Sequence, residues 1–189
     1  MNWLAHLVLS DSDAAFRVGN VLADILPITE LRALPESFQA GIVRHRAIDS
    51  FTDRHPTFKQ SIARLDPRFR RYGGVIMDIF YDHFLTTQWR DHSDIDIETF
   101  VAQFHTDVEL CRLEIPTTGY AVMQRMRTGE WLTSYRDVAG VRLTLKRIGT
   151  RLRRPFDLGG AAAELQTHHD ALAQDFNEFF PQIRAHFSS

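Results

Sequence analysis

The sequence predicts an all-α protein, a single helical bundle over residues 1–189, and three observations carry that prediction. Apolar side chains recur at spacings of three and four, the repeat of a helix that buries one stripe. No stretch sustains the strict alternation of a half-buried strand. Prolines and Ser or Asp residues stand where helices begin and end. A chain of 189 residues, 44% apolar and with 14 Phe, is long enough to bury a continuous core without staples.

Taken in order, Ser37 predicts the cap of a helix that runs to about His55, where Pro56 disfavours continuation. A second helix is expected from Pro56 to about Leu65. A longer helical stretch follows from Pro67 to Trp89, weakened by Gly73 and Gly74. Asp96 predicts the cap of the next, in which Ile97, Val101, Phe104, Val108 and Cys111 fall on one face. Val138, Val141, Leu145, Ile148 and Leu152 repeat the pattern. The last helix is expected to begin near Gly160, with Pro181 kinking or restarting it.

Composition removes several function classes. A net charge of -2 argues against wholesale nucleic-acid binding. No apolar run reaches the roughly 18 residues of a membrane span, and the start Met1-Asn-Trp-Leu-Ala-His6 lacks the basic opening of a signal peptide, so a cytoplasmic protein is expected. The single cysteine, Cys111, leaves no internal disulfide framework and no multi-cysteine zinc site. Neither a phosphate-binding Gly-x-x-x-x-Gly-Lys loop nor a Gly-x-Ser-x-Gly elbow is present. Charge is uneven along the chain. Arg136, Arg142, Lys146, Arg147, Arg151, Arg153 and Arg154 face one acid, Asp137, in a short segment, whereas acids prevail from Asp157 onward. Such a patch fits an acidic partner, but taken alone it reads first as a solvated helix face.

The chemistry-bearing residues fall in separated segments. His45, Asp49 and Asp53 stand four apart and share one helix face. Their hard, oxygen-rich character suits Mg²⁺, Mn²⁺ or Fe, although Arg44, Arg46 and Arg54 can also neutralise them as an ordinary surface. Asp78, Asp82 and His83 lie among Val75, Ile76, Ile79, Phe80, Phe84 and Leu85. Charges in such surroundings are costly unless paired or metal-bound. His6 sits in an apolar run, and Asp24 follows Asn20 by one turn. Facing helices of a bundle can converge such groups on a cation that activates water and clamps phosphate oxygens. From the residues alone, a metal-dependent phosphohydrolase is the expectation.

The order of these motifs resembles the acyl carrier protein phosphodiesterase family. The residues that carry the resemblance are Asn2-Trp-Leu-Ala-His6, Gly19-Asn-Val-Leu-Ala-Asp24, His45-Arg-Ala-Ile-Asp49 with Thr52-Asp53, and Asp78-Ile-Phe-Tyr-Asp-His-Phe-Leu85. Trp131-Leu-Thr-Ser-Tyr-Arg-Asp137 and His168-His-Asp-Ala-Leu172 follow in the same order. Trp3 stands where relatives are expected to carry Phe or Tyr, and the stretch from Val138 to Gly160 matches poorly. The resemblance implies hydrolysis of 4′-phosphopantetheine from holo-acyl carrier protein, on an all-α fold similar to the HD-domain phosphohydrolases, with a divalent metal: Mn²⁺ first, Mg²⁺ or Fe²⁺ as alternatives. The dyad here reads Asp82-His83, the reverse of the usual His-Asp. His6, Asp24, His45, Asp49, Asp82 and His83 form the implied ligand pool. Asp24, Asp78 and Asp53 are the carboxylates expected to orient water or take its proton, and Arg46 (or Arg44) to steady the phosphoryl oxygens. Arg142, Arg147, Arg151 and Arg154 are expected to hold the acidic carrier protein. Two other readings remain: a phosphohydrolase of nucleotides or other small phosphate esters, and a non-catalytic helical interaction protein.

Overall fold

Short-range polar groups set several of the helix starts. The structure, a computed structural model, describes residues 1–188. Among them are eleven α-helices and no strand: α1 (Trp3–Val8), α2 (Ala14–Leu22), α3 (Ile28–Ala33), α4 (Glu36–Arg54), α5 (Pro56–Arg64), α6 (Gly73–Thr87), α7 (Ile97–Leu110), α8 (Thr117–Thr128), α9 (Val138–Arg151), α10 (Ala162–Thr167) and α11 (His169–Phe187). The all-α class is therefore what the chain adopts. Asp13, Asp96 and Asp137 each accept the backbone N–H three residues on, at 2.8, 2.7 and 2.7 Å, and so open α2, α7 and α9.

Three boundaries differ from the sequence expectation. Ser37 lies inside α4 rather than capping it, because the helix opens at Glu36 directly after Pro35. The stretch from Pro67 is not one helix: a short 3₁₀ turn (Arg70–Tyr72) precedes α6. Gly73 and Gly74 form the first turn of α6 instead of weakening its middle. A Cβ on Gly73 would stand 2.4 Å from Ile62 Cγ2, so the glycine admits the close packing of α5 on α6. The last helix opens later than Gly160 and is divided at His168. Pro181 does not restart it; Phe176, Phe179, Phe180 and Ile183 are buried on both sides of the proline, and that packing carries α11 through it.

The described residues form two compact units, each drawn from separated stretches of chain. One comprises Met1–Asn2, Phe51–Gln88 and the chain from Ser134 onward; the other comprises Trp3–Ser50 and Trp89–Thr133. The first is built on aromatic side chains: Phe58, Tyr81, Phe84, Phe176 and Phe179 are fully buried against one another. Burying one such ring is worth about 2–3 kcal/mol. Asp175 ties α5 to α11, accepting from Arg64 Nε (2.7 Å), Gln60 Nε2 (2.9 Å) and Ser61 Oγ (2.9 Å). The second unit has a mainly aliphatic core, with Val18, Val21, Leu22, Ile42, Val108 and Met123 around Phe38 and Phe104. There the buried Arg17 guanidinium joins α2 to α7 through Asp107 at 2.8 Å and lies over the Phe100 ring.

Candidate metal centre

The second unit brings together side chains from α1, α2, α4 and the turn after α2. Two glycines make this possible. A Cβ on Gly41 would stand 2.0 Å from the Phe16 carbonyl oxygen, and one on Gly19 would stand 2.4 Å from that of Phe38. The backbones of α2 and α4 therefore touch, as only glycine permits. One turn beyond Gly41, this contact sets His45 against Asn20; α1 packs alongside and delivers His6. Nδ1 of His6 and Nδ1 of His45 lie 3.0 and 3.2 Å from the same atom, Asn20 Oδ1. The two rings stack, 4.1 Å between centroids and 16° from parallel.

The opposite nitrogens face carboxylates. His6 Nε2 is 3.2 Å from Asp49 Oδ1, and His45 Nε2 is 3.1 Å from Asp49 Oδ2 and 3.2 Å from Asp24 Oδ1. The indole N–H of Trp3 donates to Asp24 Oδ2 at 3.1 Å, and Trp3 stacks on Trp131. Both histidines are buried, while Asp24 and Asp49 keep 46% and 40% of their side chains exposed, so the carboxylate side of the cluster is open to a ligand.

Electrostatics follow from that geometry. Burial opposes charge on His45, but its hydrogen bonds with Asp24 and Asp49 outweigh it and carry its pKa up to about 9. Burial dominates at His6 and holds its pKa below 6.5 in spite of Asp49. Burial alone would raise both carboxylates; the hydrogen bonds from His45 and His6 hold Asp49 well below the usual range, and that from His45 lowers Asp24.

The donor set fits a divalent cation. Among the described residues, His6, His45 and Asp49 are the group of three imidazole and carboxylate side chains whose ligand atoms lie within 4.8 Å of one another. The 3.1–3.2 Å separations between Nε2 and carboxylate oxygens match the roughly 3 Å between neighbouring ligands that each stand about 2.1 Å from a cation. Two imidazoles with two carboxylates form a mixed nitrogen and oxygen set that suits a first-row divalent ion.

A family profile described as acyl carrier protein phosphodiesterase matches residues 1–183. The chain belongs to the acyl carrier protein phosphodiesterase family. Proteins of that name from Enterobacter sp. (strain 638), Salmonella dublin and Escherichia coli are each 30% identical to it. The alignments cover 97%, 98% and 100% of this chain and 95%, 96% and 98% of those proteins. No solved structure matches the chain. The family is one of enzymes.

Within this family member, the other residues singled out in the sequence lie as follows. Asp78, Asp82 and His83 are on α6, in the first unit. Asp78 pairs with the α-amino group of Met1 at 3.0 Å. Asp82 is fully buried, and His83 Nδ1 lies 2.7 Å from the Tyr135 carbonyl oxygen, with burial lowering its pKa. Asp53 is exposed near the end of α4 and belongs to the first unit as well. Arg46 is exposed, whereas Arg44 is engaged, donating to the Leu9 carbonyl at 3.0 Å and lying over Phe16. Arg142, Arg147, Arg151 and Arg154 are exposed, the first three on α9 opposite its buried Val141, Leu145 and Gly149. Sequence reasoning missed Asn20 and Trp3 as parts of the cluster. For Asn20 the signal was present in the one-turn spacing to Asp24; for Trp3 only the fold supplies it.

Proposed function

We propose that the chain is a divalent-metal-dependent phosphodiesterase that acts on holo-acyl carrier protein and releases apo-carrier protein and 4′-phosphopantetheine. The observation that carries this reading is the meeting of His6, Asp24, His45 and Asp49 at one solvent-open point, in a chain whose near full-length relatives are named acyl carrier protein phosphodiesterases. Mn²⁺ is the cation placed first, with Mg²⁺ or Fe²⁺ as alternatives. Such a cation, when bound, supplies Lewis acidity toward water and phosphate oxygens. His6 and His45 would hold it through Nε2, and Asp49 through a carboxylate already oriented by both imidazoles. Water adds to phosphorus in line; the bond from phosphorus to the carrier serine oxygen breaks, and that oxygen leaves with a proton. Asp24, the more exposed carboxylate, is the group to orient the water and take its hydrogen, with its second oxygen kept in place by Trp3. Arg46, exposed one residue from His45, is assigned to the phosphoryl oxygens. On the surface of α9 and just beyond it, Arg142, Arg147, Arg151 and Arg154 are assigned to the acidic carrier.

The test is intact-mass spectrometry of holo-acyl carrier protein incubated with the chain and Mn²⁺, or with chelator. The expected result is loss of the phosphopantetheinyl group in the first case alone. Equal turnover of small phosphate diesters and of carrier protein would favour a general phosphohydrolase. A chain that binds no divalent cation and turns over neither substrate would be a helical interaction module.

A further inference from the structure

We propose that Asn20 is a positioning residue that turns Nε2 of both His6 and His45 toward the cation; the inference rests on the metal reading above. Asn20 is fully buried on α2. Its amide nitrogen donates to the His6 backbone carbonyl at 3.2 Å and to Ser10 Oγ at 2.8 Å. Ser10 in turn donates to the same carbonyl at 2.8 Å, which leaves its oxygen lone pairs for Asn20. Turned the other way, the amide would set one carbonyl oxygen against another, so the network fixes which end faces the histidines.

That end is Oδ1, 3.0 and 3.2 Å from the two Nδ1 atoms. A carbonyl oxygen only accepts, so each Nδ1 carries a hydrogen. A neutral imidazole has one hydrogen, and its Nε2 is then a lone pair. Both Nε2 atoms face the oxygens of Asp49 and Asp24: without metal a proton on Nε2 fills that place, as in the hydrogen bonds described above, and a bound cation takes the lone pairs in its stead. One amide oxygen thereby matches two ligands, the role that outer partners of metal-bound histidines commonly play.

The experiment has two arms on the full chain. In nitrogen-15 spectra of wild-type protein loaded with Zn²⁺ as a diamagnetic probe, both site histidines should carry hydrogen on Nδ1 and metal on Nε2. Calorimetric titration with Mn²⁺ should show binding weakened about 10- to 100-fold in Asn20→Leu, in protein whose helical circular dichroism matches wild type. Hydrogen on Nε2 of either residue overturns the inference, as does an unchanged Mn²⁺ affinity in the variant. If Asn20→Leu does not fold, the wild-type spectrum decides alone. If wild type binds neither cation, the metal reading itself fails and the Asn20 role falls with it, an outcome separate from the other two.

Discussion

His45 and Asp49 meet the same neighbours with opposite consequences for charge, and the pH response of the metal-free chain follows. The folded His45 titrates near 9, above the 6.5 of an unfolded histidine. It therefore stabilises the fold fully below pH 6.5, and that contribution is lost as pH rises through 9. Asp49 is held below its unfolded value; its contribution is present above about pH 4 and disappears as acid protonates it. His6, lowered by burial, costs stability only below 6.5. Melting temperatures of chelator-treated protein should fall between pH 6.5 and 9, and His45→Gln should flatten that slope. An equally steep fall in His45→Gln would place its origin elsewhere. At this scale the pairing of His45 with Asp49 was legible, because a spacing of four on a helix puts two side chains together wherever the helix lies. The addition of His6 and Asp24 was not in any spacing; the order of the family's motifs implied it, and it depends on where α1 and the end of α2 come to rest.

Helices report their own register but not their closest approach. The bounds of α7 could be read almost to the residue, because an Asp cap and an apolar stripe agree there, and the stripe alone marked α9. The division at His168 and the intact passage through Pro181 could not, since tertiary packing overrides the local preference there. Nor did any pattern mark Gly19 and Gly41 as the contact between α2 and α4. Gly41→Ala forces a Cβ onto the Phe16 carbonyl, and the expected cost is about 1–3 kcal/mol with Mn²⁺ affinity lowered by roughly tenfold or more as His45 draws away from Asn20. Gly74→Ala meets nothing within 4 Å in the first turn of α6 and should be neutral or stabilising by up to about 1 kcal/mol. Denaturant melts and Mn²⁺ titrations of both variants check the contrast; similar behaviour would remove the glycine contact as the cause.

The whole chain is nearly neutral, at -2, so long-range attraction for an acidic carrier has to come from where charge is concentrated rather than from its sum. Arg142, Arg147, Arg151 and Arg154 are exposed, and their cationic heads are available to a large partner without being needed by a small one. Reversing all four to Glu should raise KM for holo-acyl carrier protein at least tenfold at low salt, leave turnover of a small phosphodiester unchanged, and matter less as salt increases. An unaltered KM would detach α9 from carrier recognition. The family was legible in the sequence from the order of its short motifs, none of which lies on α9.

The hydrogen bond from Trp3 to Asp24 also gives the protein an optical reporter of its own. Indole emission depends on the electric field along the ring and on the partner of its N–H. A cation arriving at Asp24 changes both at once, beside a second indole stacked on the first. If the site takes metal as proposed, its arrival is read in the fluorescence of the unlabelled chain, and Trp3→Phe removes that signal while leaving every proposed ligand in place.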